Sequence, residues 1–248
     1  FLAVFPYQEE VRVGPIRSIR PYFAEWALEY TPALVHAGGS EEALKLITQN
    51  SEYLDFDENL EEKYLFRDYQ YEKPHNLFVN LSEIRKIMQE KNWHSLSTPT
   101  FSFSSSKEFL SQILEKPGQA GQITLDFSLA SYLVNYVYDE KTRQYYRFHQ
   151  KTPHIDQLNQ KQIAPTNIIV QFTSYTVIDE EGRLDLKTTG FGDAWYFSQG
   201  KFWKGYWGKS ENDHQTSFYN ANGKLITFPP GQTWIEIIDS KDRVSRQL

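Results

Sequence analysis

Apolar and polar positions follow two different rhythms along this chain. In the first hundred residues, short apolar runs alternate with helical stripes. Leu2 to Tyr7 reads as a strand, and Ile19, Tyr22, Phe23, Trp26, Ala27 and Tyr30 share one face of a helix over 19–30. Ser18 is its expected N-cap, with Pro21 tolerated in the first turn. Ala33 to His36 is a short apolar strand ending at Gly38-Gly39. Ser40 then caps a helix over Glu41 to Gln49, whose two leading glutamates suit the positive end of its dipole. An acidic loop is expected over 52–62, strands at 64–67 and 77–79, and a helix capped by Asn80 or Ser82 and running to about Asn92.

Beyond a Ser/Thr/Pro-rich stretch at 95–100, the rhythm shortens to period two. Residues 101–104 alternate like a strand, and 107–114 read as a short helix stopped by Pro117-Gly118. Strands follow at 123–127, 133–138, 144–148, 167–177, 183–188, 194–197, 202–207, 217–219, 224–228 and 234–238. Turn residues between them predict hairpins. The fold class is therefore α+β. An N-terminal α/β portion (1–116) precedes a β-rich portion of antiparallel hairpins (117–240) and a charged, frayed tail (241–248). No fixed-period repeat is present, which disfavours a propeller or solenoid.

Composition narrows the classes. The 248 residues carry a net charge of −6 and no long basic run, which excludes a phosphate-backbone footprint and hence nucleic acid. There is no cysteine, so disulfides, thiolate nucleophiles and cysteine-based zinc sites are out. No apolar run reaches the roughly 18 residues of a membrane-spanning helix. Phe1 to Phe5 lacks an initiator Met and already reads as a buried strand, so a further segment is expected upstream. Aromatics reach 16%. They suit a sheet core, or a groove that stacks on sugars or peptides.

Candidate chemistry sits in four polar islands: 12–21, 36–40, 73–77 and 153–156. Arg12, Arg17 and Arg20 lie near a helix start, with Ser18 beside them, so backbone N–H groups and guanidinium forks favour a carboxylate or phosphate there. The bland alternative is that these arginines pair with protein carboxylates, with Arg17 pointing inward. His36 ends a strand, the usual ligand side of an α/β layer. Ser40 lacks a nucleophile-elbow frame and is read as a cap. His75 beside Asn76 offers an imidazole and an amide for orienting a ligand or for acid–base work. His154 and Asp156 fall on one side of an extended segment. With His36 or His75 they would make a His/carboxylate metal set, but the spacing lacks a His-Glu-x-x-His frame, and the reading is no metal and no cofactor. Asp55-Phe-Asp57 imitates the start of a calcium loop, but Leu60 and Phe66 stand where Gly and Glu are needed.

The islands also carry a resemblance. Residues 12–22 (RVGPIRSIRPY), 35–40 (VHAGGS), 66–68 (FRD) and 74–77 (PHNL) resemble the YerB-like bacterial lipoproteins. So do 145–147 (YYR), 154–156 (HID), 167–170 (NIIV), 190–192 (GFG) and 231–234 (GQTW), in the same order. The second of the 66–68 residues adds Arg67 to the candidate set. The resemblance implies two fused parts, export, and membrane attachment only through an N-terminal lipidated cysteine that this chain does not contain. It carries no established activity with it. Three readings follow. The first is a cell-envelope protein binding an anionic cell-wall component or peptide in a pocket where the parts meet. The second is a hydrolase of envelope polymers using His75, His154 or Asp156. The third is a scaffold for protein partners.

Overall fold

In the computed structural model, residues 1–5, 10–58, 64–92, 103–105, 108–109, 117–127, 132–213 and 215–247 are described. The chain divides into two compact units, Phe1–Thr100 and Phe101–Leu248. The order of expected helices and strands places a break after 116. The earlier break follows from Phe109, which is fully buried in a core of the second unit, and from Phe103, which bridges Phe228.

The first unit is α/β. Strand β1 (Arg12–Val13) precedes helix α1 (Pro21–Leu28), β2 (Ala33–His36), α2 (Glu41–Gln49), β3 (Leu54–Asp57), β4 (Leu65–Arg67), β5 (Leu77–Asn80) and α3 (Leu81–Glu90). β2 and β3 are parallel, joined through α2, with His36 opposite Asp57 at their C-terminal ends. β1, β5 and β4 form an antiparallel sheet in that order. Two apolar clusters hold the unit. Ala24 and Ala27 of α1 meet Ala43 and Ile47 of α2, so small residues bring the two helices together. Leu77 and Val79 of β5 pack with Ile84, Ile87 and Met88 of α3.

Three sequence expectations for this unit change, and the choice between the two expected caps of α3 is decided. Residues 1–5 form no strand, and Phe1, Leu2, Val4 and Phe5 are exposed, because an apolar run becomes a strand only where an edge receives it. Ser18 does not cap α1. The N-cap is Arg20, which makes no side-chain cap bond, while the Ser18 hydroxyl donates to the Ala37 carbonyl at 3.0 Å. Asn80 is the N-cap of α3, also without a side-chain bond. The acidic stretch is not a loop where it is described: 54–57 is β3, because its odd carboxylates leave Leu54 and Phe56 free to pack inward.

The second unit is β-rich. β6 (Gly118–Gln119), β7 (Gln122–Asp126), β8 (Leu133–Asp139), β9 (Gln144–His149) and β10 (Thr152–Pro153) are followed by β11 (Asn167–Phe172), β12 (Tyr175–Val177) and β13 (Leu184–Leu186). β14 (Gly190–Ser198), β15 (Lys201–Lys209), β16 (Ser217–Asn220), β17 (Thr233–Ile238) and β18 (Val244–Gln247) complete it. One sheet has the order β10-β9-β8-β7-β18, the other β16-β15-β14-β11-β17, with β6 on β15. Ile123, Leu125, Val134, Tyr136 and Tyr145 of the first face Ile168, Val170, Phe197, Phe202 and Ile238 of the second. The opposite face of the second sheet is covered by Phe109, Phe228 and Ile226. β11 is therefore buried on both sides, which is why it reads as a continuous apolar run.

Here too the outcome differs in places. The expected long strand 167–177 breaks at Thr173, whose hydroxyl donates to the Lys187 carbonyl at 2.6 Å, and β12 leaves to pair with β13. β17 joins β11 in parallel, so the sheet is not made of hairpins alone. Residues 224–228 supply two isolated bridges, Tyr219 to Leu225 and Phe103 to Phe228, in place of a strand. The charged tail is not frayed over 244–247: β18 closes the edge of β7, with Val244 buried opposite Leu125. Residues 95–100 and most of the expected helix 107–114 lie outside the described residues.

Candidate functional site

The segment from Gly14 to Arg20 straps the first unit together. The Ile16 amide donates to the Leu77 carbonyl of β5 at 2.8 Å. Three residues on, the strap zips onto the loop after β2: Ala37 donates to the Arg17 carbonyl at 3.1 Å and Ile19 to the Gly38 carbonyl at 3.0 Å. Glycine is required at 39, because a Cβ there would stand 2.8 Å from Ile19 Cγ2. Ser40 then caps α2, its hydroxyl accepting from the Ala43 amide at 3.3 Å.

This strap carries Arg17 to His75. The guanidinium Nη1 donates to the Pro74 carbonyl at 3.3 Å and to His75 Nδ1 at 3.2 Å. Arginine can only donate, so Nδ1 accepts and the ring proton of the neutral imidazole sits on Nε2. Both side chains are exposed, so Arg17 does not point inward as expected. Arg20 folds onto its neighbour, donating to the Ile19 carbonyl at 2.9 Å.

The partner is different for each arginine. Arg12 pairs with Asp68 at 2.9 Å and lies 4.4 Å over the Phe78 ring. Arg67 pairs with Glu58 and donates to Asn76 Oδ1 at 2.9 Å. Asn76 is buried and holds Arg67 in place, so it does not face a ligand beside His75. Arg85 pairs with Glu10. Arg17 and Arg20 make no ion pair with an acid among the described residues.

His36 stands apart from that pair. It is buried at the end of β2, with Nδ1 3.0 Å from the Gly38 carbonyl and Nε2 2.8 Å from Asp55 Oδ1. Both partners are acceptors, so both nitrogens donate and the ring is an imidazolium. Burial pulls its pKa down, but the Asp55 bond and charge, the Gly38 carbonyl and Asp57 together raise it above the ordinary value. Both ring nitrogens are occupied, which removes His36 from any metal set. Asp57 also accepts from the Gly38 amide at 2.8 Å. This triad braces the loop onto which the strap zips.

His154 and Asp156 belong to the second unit. The exposed Asp156 accepts from the Leu158 amide at 2.8 Å and the Asn159 amide at 3.3 Å, the geometry of a turn cap. His154 joins a cluster that sequence reading passed over. Arg147, 1% exposed, donates from Nε to the Tyr136 hydroxyl at 3.1 Å. Its Nη1 donates to His149 Nε2 at 3.1 Å and His154 Nδ1 at 2.6 Å. Tyr136 donates to the buried Glu236 at 2.5 Å, and the guanidinium lies 4.8 Å over the Trp234 ring. Both imidazoles accept from a cation and are neutral. Burial, then Arg147, then His149 push His154 down to about 4. Burial raises the Glu236 carboxyl, which Arg147 and the Tyr136 bond pull back. The missed signal was phase: Arg147 shares the inward positions of β9 with Tyr145.

Similarity agrees in extent with this architecture. The family described as "Protein of unknown function (DUF3048)" matches with its N-terminal domain over residues 1–94 and its C-terminal domain over 123–235. The chain is 29% identical over 253 aligned positions to YerB of Bacillus subtilis (strain 168), a candidate lipoprotein by name, covering 99% of this chain and 72% of that protein. The crystal structure of the YerB protein from Bacillus subtilis superposes with a TM-score of 0.80 at 24% identity, over 96% of this chain and 78% of the other.

Proposed function

This chain belongs to the DUF3048 family, and from that premise we propose that it is an extracytoplasmic, membrane-anchored protein that binds an anionic component of the cell envelope or an acidic peptide. One observation carries the reading. Three of the arginines in the first unit are matched to Asp68, Glu58 and Glu10, while Arg17 and Arg20 are not matched to an acid among the described residues. An arginine held in place by a carbonyl and an imidazole, with no counter-charge among the described residues, is preorganised for an external carboxylate or phosphate. His75 adds an outward Nε2–H as a second donor, and α1 begins at Arg20 with no side-chain cap and no acid in its first turn. Export and anchoring rest on the named character of the Bacillus relative.

A hydrolase is the weaker reading. No carboxylate orients the His75 ring among the described residues, so it lacks the third group that a general base uses. The test is retention of the intact protein on purified cell wall, measured by sedimentation at low and high salt. Arg17→Ala should lower retention at least tenfold and Arg85→Ala should not. Equal retention of Arg17→Ala and the unsubstituted protein would overturn the proposal.

A further inference from the structure

A concavity lies in the second unit, and none of the candidate site residues above lines it. It is an open groove of about 620 Å³ over one end of β14, β15 and β16, on the sheet face that further along the same strands, at Trp195, Phe197 and Phe202, packs on the first sheet, and its volume is within the roughly 300–1,000 Å³ range of ligand sites. The strand register builds it. Phe191 lies opposite Gly208, and Tyr206 opposite Tyr219, so these four positions share one face. Trp207 and Phe218, in the other phase, point into the core. Gly208 leaves the floor of the groove as bare backbone. Its absent side chain would lie 3.4 Å from the Tyr219 ring and 3.6 Å from Phe191, so the glycine separates two aromatic walls.

Phe191 is 69% exposed, a large apolar ring on a sheet surface. It is not loose: it stacks on Tyr206 with centroids 5.2 Å apart and planes at 25°. One ring face is thus supported and the other is offered to solvent. The rim is polar and built from two tight turns. Ser210 is fixed where its amide donates to Asp213 at 2.7 Å. Asn222 is presented by a turn in which Asn220 Oδ1 accepts from the Asn222 and Lys224 amides, both at 3.0 Å.

We propose that this groove binds a pyranose oligosaccharide. A sugar ring has an apolar C–H face and an equatorial rim of hydroxyls, which match an open aromatic face edged by hydroxyl and amide groups. An extended peptide fits less well. Strand addition needs a free sheet edge, and β16 is already covered: Ile226 donates to the Phe218 carbonyl at 2.9 Å and Asn220 to the Lys224 carbonyl at 2.8 Å. The open shape suits residues within a glycan chain better than an enclosed monosaccharide.

The experiment is saturation-transfer NMR and calorimetry on the full chain with chitotetraose and cellotetraose, and a tetra-alanine peptide as control. Transfer to the axial C–H protons of at least one glycan, with no peptide binding, is the expected result. Phe191→Ala should weaken that affinity at least tenfold. Gly208→Leu, at a position with ordinary strand dihedrals, should abolish it by filling the floor. Circular dichroism and melting temperature verify that each variant is folded. Neither glycan binding, or both variants binding like the unsubstituted protein, would overturn the proposal. Since Arg17→Ala leaves this groove intact, glycan affinity and wall retention fail independently.

Discussion

His36 and Asp55 form a buried imidazolium–carboxylate pair, 2.8 Å between Nε2 and Oδ1, across the parallel strands β2 and β3. The second ring nitrogen also donates, to Gly38. The proton on that ring is therefore part of the fold. A pKa raised above the usual 6.5 means that this stabilisation is complete below pH 6.5 and is lost as pH rises through the raised value. Hydrogen exchange of the β2 and β3 amides should accelerate over that window beyond its intrinsic pH dependence. His36→Gln should flatten the excess. A profile unchanged by the substitution would contradict the assignment.

The second unit should respond in the opposite sense. His154 is neutral in the fold, with its pKa lowered to about 4, so its contribution is present above pH 6.5 and lost as pH falls toward 4. His149 shifts in the same direction, through burial and Arg147. The melting temperature of the second unit should fall across that range, and less so in His154→Asn. NMR titration of the His154 ring checks the value directly, and a midpoint near 6.5 would refute it.

Arg147 and Glu236 are buried charges linked through Tyr136. Glu236→Leu should destabilise the second unit by about 3–5 kcal/mol, because a lone buried guanidinium remains. The double variant Arg147→Met/Glu236→Leu should recover much of that loss. Urea denaturation of both measures it, and a double variant worse than the sum of the singles would refute the pairing.

Ser40→Ala should cost about 1 kcal/mol through the lost cap, and Ser40→Gly only a few tenths. Both should keep full wall retention. A large loss of retention with unchanged stability would instead mark Ser40 as a contact residue.

Much of the scaffold was legible from local pattern. α2 was read to its exact bounds because cap, acidic first turn and apolar stripe agree. The β8–β9 and β14–β15 hairpins followed from alternation and turn residues. What local pattern cannot carry is partnership. The parallel pairing of β11 with β17, like the antiparallel pairing of β18 with β7, depends on which edges the rest of the chain leaves open. The site shows the same division. Arg17 and His75 were singled out by type and motif, and the fold joins them. Asn76 and Arg67 were singled out too, but the fold turns them on each other. Asp55 reads only as part of an acidic loop because nothing local announces that β3 lies beside His36.

The place of β17 has a kinetic consequence. β11 can pair with β14 once a short stretch has been crossed, but its parallel partner lies some 65 residues further along, and closing that distance is slow. Glu236 rides on β17, so it reaches Arg147 only when that strand docks. Until then both charges keep their water. Their union belongs to the late side of the folding barrier, and weakening it should quicken unfolding while leaving the refolding rate almost untouched.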